Sequence, residues 1–190
     1  MKVIVATHNK NKVKEISEIL KDTNIELISL LDLNDDEDII EDGNTFFDNA
    51  MIKAKHVSLK YNMPAIADDS GLEIYALNNE PGINSSRYSG KGDYYNNLKV
   101  LKELEGVINR GARFITELIF YYPSGEYNRF SGIWKGNIGY SMKGSNGFGY
   151  DPIFIPNGYD KTVAELSEEV KKNESHRAKA LQSLKKHYNI

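Results

Sequence analysis

Hydrophobic and polar positions alternate along the first half of the chain in a way that predicts strands and helices in turn. Residues 3–6 are apolar without interruption and predict a buried strand, and apolar residues then recur at helical spacing between positions 13 and 20. Residues 25–30, 64–67 and 72–77 are further short apolar runs, and each of them predicts a strand. Strands and helices that follow one another in this way are typical of an α/β protein.

The second half of the chain adds a predicted hairpin. Residues 114–122 and 127–134 are rich in β-branched and aromatic side chains and are separated by a Pro-Ser-Gly turn. A further strand is predicted at 153–155, and apolar stripes at 94–104 and 178–184 predict two more helices. We therefore expect a mixed β-sheet flanked by helices, with the chain forming a single domain of two lobes around a central cleft.

Composition limits the classes of protein to which this chain can belong. It has 190 residues, a net charge of -3 and no cysteine, so disulfide and thiolate chemistry are excluded. General nucleic-acid binders are usually basic, so we expect no nucleic-acid partner. No apolar run approaches the roughly 20 residues that span a bilayer. The first residues lack a signal-peptide pattern, and we expect a cytoplasmic protein without a membrane partner.

The polar segment 7–12 joins the first predicted strand to the first predicted helix. The N-terminus of a helix presents free N–H groups and the positive end of its dipole, which favour phosphate. Lys10 and Lys12 would add positive charge, and Thr7 and Asn9 would add hydrogen bonds. The Walker phosphate-loop pattern is absent from the sequence. The alternative interpretation is a solvated helix cap.

Two adjacent carboxylates, Asp68 and Asp69, follow a buried apolar run and precede Ser70 and a glycine. Ligands of open α/β sheets bind at the carboxyl ends of strands. Two carboxylates at such a position can hold Mg²⁺ through oxygen ligands, or one of them can orient or deprotonate water. The alternative is an ordinary Asp-Ser-Gly turn.

Thr45 and Asp48 form a capping-box pattern and predict the start of another helix. Glu41, which precedes this helix, would supply a third carboxylate, although it is also one acid among many in an acidic segment. Asn49 and Lys53 are four residues apart and share one helix face. Lys53 would then face phosphates, or it would be a solvated lysine.

The segment 147–154 places two glycines around one aromatic residue and a second aromatic residue before a carboxylate. Phe148 or Tyr150 would offer a flat face to a nucleobase, whereas the alternative is a tight turn into a core strand. His176 and Arg177 open the last predicted helix, and arginine offers fixed donors for a carbonyl oxygen or a phosphate.

Taken in order, these segments resemble the inosine triphosphate pyrophosphatase family, also called non-canonical purine NTP pyrophosphatases. The matching blocks extend almost from one end of the chain to the other, and as an ordered set they are highly specific: residues 6–12, 41–46, 49–50 with 53–54, 67–72, 81–82 with 86–88, 147–154 and 175–178. The resemblance implies an elongated mixed sheet with two lobes around a cleft, and a homodimer. Tyr94 and Tyr95 are candidates for its interface.

The resemblance also assigns roles to individual residues. It implies that Asp69 is the catalytic base and a metal ligand together with Glu41, that Asp68 supports the same Mg²⁺ centre, and that Ser70 touches the substrate. The remaining substrate contacts that it implies fall into three groups: Thr7, His8, Asn9, Lys10, Asn11, Lys12 and Lys53 for the triphosphate; Phe148, Gly149, Tyr150 and Asp151 for the base and sugar; and Lys171, His176 and Arg177, which close over the base.

The chain departs from the family pattern at a few positions. His8 and Asn11 stand where glycine is frequent, and Glu174 stands where an apolar residue is common. Asparagine tolerates left-handed backbone better than most residues, whereas His8 adds bulk beside the predicted phosphate site. None of these departures removes a residue to which the family pattern assigns chemistry.

The activity implied by the resemblance is hydrolysis of ITP, dITP and XTP to the monophosphate and pyrophosphate, which clears deaminated purines from the nucleotide pool. Two other functions remain open from the residues alone. A non-catalytic protein that binds purine triphosphates would need the same lysines and aromatic rings but no activated water. A phosphatase that releases single phosphates would differ from a pyrophosphatase in its products.

Overall fold

Helices and strands follow one another closely in the computed structural model, which describes all residues from 1 to 190. The strands are β1 (Lys2–Val5), β2 (Glu26–Ser29), β3 (Ala65–Ile74), β4 (Gly111–Tyr121), β5 (Tyr127–Ile138) and β6 (Phe154–Pro156). The α-helices are α1 (Lys10–Leu20), α2 (Phe46–Tyr61), α3 (Asp93–Glu103), α4 (Glu168–Glu174) and α5 (His176–Tyr188). Short 3-10 turns lie at Tyr75–Leu77, Gly82–Arg87 and Val163–Glu165.

The six strands form a mixed sheet in the order β2-β1-β3-β4-β5-β6. β1 is parallel to both β2 and β3, whereas β5 and β6 are antiparallel. Consecutive strands β4 and β5 are joined by a short turn, in which the N–H of Tyr122 donates to the carbonyl of Glu126 at 2.9 Å. The predicted fold class, a mixed sheet flanked by helices, is confirmed.

The prediction was wrong about the segment from 64 to 77. Instead of two short strands separated by a turn, β3 is one continuous strand of ten residues that includes Asp68, Asp69 and Ser70. The pairing of β3 with β1 reaches only Ile66, so the two carboxylates lie beyond the carboxyl end of β1 rather than beyond the end of β3. A polar Asp-Asp-Ser-Gly sequence looks like a turn because its side chains rarely occur inside a strand.

Strand alternation explains the uninterrupted apolar runs in the first compact unit, which comprises Met1–Asp69, Thr116–Gly132 and Arg177–Ile190. Val3 and Val5 pack in a cluster with residues of α1 and α5, and Ile4 and Ala6 pack in another cluster with residues of α2. Successive side chains of a strand point to opposite faces, so a sheet covered by helices on both faces needs apolar residues at every position.

The second compact unit comprises Ser70–Ile115 and Ile133–His176 and has its own core. That core contains aromatic and aliphatic side chains from β3, α3, β4, β5 and β6: Leu72, Ile74, Val100, Leu104, Phe114, Trp134 and Phe154. Gly136 allows β6 to approach closely, because a Cβ atom there would lie 2.3 Å from the carbonyl oxygen of Ile155. The single domain with two lobes stays a prediction. No helix is long and apolar enough to cross a membrane.

Candidate functional site

Asp68 and Asp69 point to opposite faces of β3 because they are neighbours in one strand. Asp68 lies on the same face of β3 as Ile66, which packs with residues of α1 and α5. Asp69 lies on the same face as Ala65 and Ala67, which pack with residues of α2. Each carboxylate therefore has its own set of partners from the helices of the first unit.

Asp68 is buried in a network of opposite charges. Its Oδ2 atom lies 3.2 Å from Nζ of Lys12 and accepts hydrogen bonds from Nε and Nη2 of Arg177 at 3.2 and 3.0 Å. Nη1 of Arg177 donates to Glu15. Burial lowers the pKa of Lys12, although the charge of Asp68 opposes this shift. For Arg177, burial also favours the neutral form, but Asp68 and Glu15 outweigh it and raise the pKa of the guanidinium.

Asp69 is half-buried and lies beside the N-terminal turns of α2. Its Oδ2 atom accepts a hydrogen bond from Nδ2 of Asn49 at 3.3 Å, while Oδ1 of Asn49 accepts the backbone N–H of Gly43 at 2.9 Å. Burial raises the pKa of Asp69, and the charges of Glu41 and Asp68 raise it further, against the effect of Lys53 and Lys12. A carboxylate with a raised pKa is a better proton acceptor than an exposed aspartate.

Lys53 is buried, which excludes the interpretation of a solvated lysine. Its Nζ atom donates to the carbonyl oxygen of Asp68 at 2.9 Å and lies 2.6 Å from Oε1 of Glu41. Glu41 comes from the acidic segment between β2 and α2. That segment is also fastened to α2 by Asp35, which accepts hydrogen bonds from Lys60 at 2.8 Å and from the hydroxyl of Tyr61 at 2.6 Å.

The segment that was predicted to bind phosphate caps α1. The side chain of Asn9 is the N-cap, and its Oδ1 atom accepts the backbone N–H groups of Asn11 and Lys12 at 3.0 and 3.2 Å. Thr7 accepts the N–H of Asn9 at 3.2 Å, and Nε2 of His8 lies 2.8 Å from the carbonyl oxygen of Asp35. The cap thus uses some of the backbone donors that the sequence suggested for phosphate.

The two lysines of this segment differ in their surroundings. Lys10 is exposed to solvent, whereas the Lys12 ammonium turns inward to Asp68. Ser70 follows Asp69 in β3 and is half-buried. Their predicted contacts with substrate stay predictions.

The aromatic turn in the second unit is held by its own polar side chains. Oδ2 of Asp151 accepts the N–H of Phe148 at 3.0 Å and lies 2.6 Å from Nζ of Lys171. The same ammonium lies 4.2 Å from the centroid of the Phe148 ring, within the range of a cation–π interaction. The hydroxyl of Tyr150 donates to the carbonyl oxygen of Ser85 at 2.6 Å. Of the four residues predicted to hold the base and sugar, Tyr150 and Asp151 are buried.

The residues at the start of α5 lie in different surroundings. His176 is buried and stacks on Phe114, with ring centroids 4.7 Å apart and an interplanar angle of 14°. Arg177 instead belongs to the Asp68 network described above. Glu174, which departs from the family pattern, accepts a hydrogen bond from the hydroxyl of Tyr159 at 2.6 Å. The polar residue at position 174 thus has a polar partner.

Comparison with known proteins places this chain in a family. A model of the Ham1 family matches residues 3–187. The chain belongs to the Ham1 family. Among its Ham1 relatives is a protein from Oceanobacillus iheyensis named dITP/XTP pyrophosphatase, which is 48% identical over 97% of this chain and 96% of the relative. A protein of the same name from Exiguobacterium is 46% identical over 97% of this chain and 95% of the relative.

Solved structures of Ham1 proteins have the same fold. The Ham1 protein of Staphylococcus aureus has a TM-score of 0.89 at 39% identity and covers 100% of this chain and 98% of its own. That of Coxiella burnetii has a TM-score of 0.90 at 38% identity, with the same coverage. The resemblance found in the sequence is therefore confirmed.

Sequence reasoning missed several residues that the structure brings into these clusters. Asn49 stands out in the sequence only for its spacing from Lys53, and Glu15 is not among the residues predicted for the site. Glu15 shares a helix with Lys12, three residues away, and a carboxylate on the same face was the available signal.

Proposed function

We propose that this protein hydrolyses ITP, dITP and XTP at the α-phosphorus and releases the nucleoside monophosphate and pyrophosphate. The observation that carries the proposal is the environment of Asp69. Its carboxylate accepts a hydrogen bond from the Asn49 amide, and burial raises its pKa although the ammonium groups of Lys53 and Lys12 oppose this rise. The names of the Ham1 relatives support the substrate class.

The charges of the first unit suit a polyphosphate that arrives with a divalent cation. The cluster has one more negative than positive formal charge: it contains four carboxylates, of Glu15, Glu41, Asp68 and Asp69, and three cations, of Lys12, Lys53 and Arg177. Glu41 and Asp68 both raise the pKa of Asp69, because like charges disfavour its ionised form. A divalent cation would relieve this repulsion and reverse the sign of the net charge.

The donor atoms fit Mg²⁺, because carboxylate oxygens are its preferred protein ligands. Asp69 and Glu41 would hold the ion, whereas Asp68, on the opposite face of β3, would support this centre only through its charge. No group of three or more His, Cys, Asp and Glu side chains is ready to hold a metal ion in this structure. Mg²⁺ is usually bound through one or two carboxylates, with substrate phosphates as further ligands. When bound, the ion supplies neutralisation of phosphate charge and acidification of water.

The protein's own part in the reaction is to accept a proton and to stabilise charge. Asp69 takes the proton of the attacking water, a role to which its raised pKa suits it. Lys12 and Lys53 are held near Asp68 and stabilise the negative charge that develops on the phosphates. The bond from the α-phosphorus to the bridging oxygen breaks, and pyrophosphate leaves.

In the second unit, Phe148 offers an aromatic surface for the purine, and Lys171 beside it offers a donor. Hypoxanthine and xanthine present a carbonyl acceptor at position 6, whereas adenine presents an amino donor. A site that supplies donors there leaves adenine unpaired, and such a mismatch can reduce turnover by about 10⁴-fold.

We also propose that the protein is cytoplasmic and forms a homodimer. Tyr94 and Tyr95 on α3 are 59% and 50% exposed, which leaves large aromatic surfaces for a second copy. Light scattering on the purified protein would show a mass of one or two chains, and a monomer at micromolar concentration would contradict the dimer.

The experiment that tests the function is product analysis after incubation with ITP, dITP, XTP, ATP or GTP in the presence of Mg²⁺. We expect monophosphate and pyrophosphate from the first three, and no turnover of ITP by Asp69→Asn. Intact ITP bound to the wild type would favour a binding protein. Diphosphate and orthophosphate would favour a phosphatase that attacks the γ-phosphorus, and both results would overturn the proposal.

A further inference from the structure

Both peptide groups that meet at Gly149 are held by α3. The N–H of Gly149 donates to Oδ2 of Asp93 at 2.9 Å, and its carbonyl oxygen accepts Nδ2 of Asn97 at 2.8 Å. Asp93 and Asn97 are four residues apart and therefore lie on one face of the helix. One helix face thus binds both polar groups of a single residue that lies more than fifty positions away in the sequence.

Asn97 is the buried member of this pair, whereas Asp93 is exposed. Nδ2 of Asn97 also donates to the carbonyl oxygen of Asp93 at 2.8 Å, and Asn97 is 2% exposed. Asp93 is the first residue of α3, where a carboxylate is favoured by the helix dipole. The helix therefore places both residues on one face and fixes the amide of Asn97 by a bond within α3.

Gly149 has a backbone conformation that needs such support. Its φ angle is +60°, and no atom lies within 4 Å of the position of a Cβ atom. The glycine is therefore required by its backbone angle rather than by lack of space. Glycine loses more conformational freedom on ordering than any other residue, so bonds to both of its peptide groups help to order this turn.

The other contacts of the turn fix its neighbours: the N–H of Asp151 donates to the carbonyl oxygen of Phe148 at 3.2 Å, but none of these contacts binds the N–H or the carbonyl oxygen of Gly149. Asp151 binds the N–H of Phe148 and the ammonium of Lys171, and Tyr150 binds the carbonyl of Ser85. Rotation of the Gly149 peptide would change the direction in which the Phe148 ring leaves the turn. The orientation of this ring thus depends on α3.

We propose that Asp93 and Asn97 are positioning residues for purine recognition: they fix the Gly149 peptide and thereby hold the Phe148 ring in the orientation that receives the base. This inference rests on the proposed function for the identity of the ligand. Neither side chain is proposed to touch the substrate, and their effect passes through the Gly149 peptide.

Substitutions at Asp93 separate positioning from general stability. Asp93→Ala removes the acceptor for the Gly149 N–H, whereas Asp93→Asn removes the charge but keeps an acceptor oxygen. Loss of one such hydrogen bond corresponds to about a 3- to 10-fold effect. We expect the KM for ITP to rise about 3- to 10-fold in Asp93→Ala, kcat to stay within about 2-fold, and Asp93→Asn to recover most of the loss.

Asn97→Asp tests the other side of the peptide, because it replaces a donor by a carboxylate that faces two carbonyl oxygens. We expect a larger rise in KM than in Asp93→Ala. If Asn97→Asp does not fold, the comparison of Asp93→Ala with Asp93→Asn alone tests the inference. Lys102→Ala is the matched control, since Lys102 is exposed on the same helix and we expect it to behave as the wild type.

A second readout needs no substrate. Hydrogen exchange of the Gly149 amide in the free protein should be faster in Asp93→Ala than in the wild type, Asp93→Asn or Lys102→Ala, because the amide loses its acceptor. A faster exchange together with a raised KM supports the inference. An unchanged KM in Asp93→Ala, in a wild type that hydrolyses ITP, overturns it. A wild type that hydrolyses no purine triphosphate overturns the proposed function and with it the assignment to purine recognition.

Discussion

Replacement of Arg177 by methionine removes the guanidinium that binds the buried Asp68. The side chain of Asp68 is 0% exposed and that of Arg177 is 2% exposed, so neither charge can turn to solvent. The substitution deletes two hydrogen bonds to Asp68 and one to Glu15, while it keeps a similar side-chain volume. We expect a large loss of stability from this single change.

The magnitude follows from burial and from the partners that remain. Removal of one member of a buried ion pair costs about 3–5 kcal/mol, because the other charge is left in a poorly solvating environment. Asp68 would still face the ammonium of Lys12 at 3.2 Å, so the lower end of this range, about 3 kcal/mol, applies. For a chain of this length, that loss lowers Tm by about 6–12 °C.

The assay is thermal unfolding followed by circular dichroism, without nucleotide or metal. Arg177→Lys is the matched variant: it keeps the charge but cannot form the planar two-point contact, and we expect about half of the effect. A fall in Tm of less than about 2 °C in Arg177→Met would refute the reasoning. If the guanidinium served only to close over the base, the substitution would change the preference for ITP over ATP and leave Tm almost unaltered.

Two further predictions concern Asp69 and Lys53. Burial raises the pKa of Asp69 in the folded protein above its ordinary value of 3.8. Ionisation of Asp69 therefore lowers the free energy of unfolding as pH rises through the folded pKa, and this loss is absent below the unfolded pKa. Asp69→Asn should therefore resist urea better than the wild type at pH 8 in EDTA and equally well below pH of about 3.8; equal midpoints at pH 8 would contradict this. Lys53→Met should lower kcat for ITP by about 10²–10³-fold, because a buried cation near the phosphates is lost. Lys55→Met, on the exposed face of α2, is the control and should not lower kcat. If both variants match the wild type in a steady-state assay, Lys53 takes no part in the reaction.

Local signals in the sequence account for much of the fold. The capping box of Thr45 and Asp48 marks the start of α2 and is present in the structure. The apolar run of residues 3–6 marks β1, because a strand covered on both faces needs apolar residues at every position. These features depend on residues that are close in the chain.

The errors arose where distant residues decide the conformation. The continuous β3 depends on Lys12, Lys53 and Arg177, which neutralise polar groups of Asp68 within the strand. α4 was not predicted, since it has no buried residue and therefore no apolar stripe. A pattern that is read over a short window cannot supply such partners.

The candidate site was predicted in the same uneven way. The sequence pointed to Asp68, Asp69 and Lys53, which the structure brings together. It did not show that alternation along β3 separates the two aspartates onto opposite faces, because this requires that they belong to one strand. Arg177 and Glu15 are 162 positions apart, and nothing in their local sequence pairs them.

The central claim is that water attacks the α-phosphorus of a deaminated purine triphosphate. The most direct test is hydrolysis of ITP in water labelled with ¹⁸O, followed by mass spectrometry of the products. The account predicts one labelled oxygen in IMP and none in pyrophosphate. Label in pyrophosphate would place the attack on the β-phosphorus, and label in orthophosphate with IDP as the other product would place it on the γ-phosphorus; both results would contradict the account.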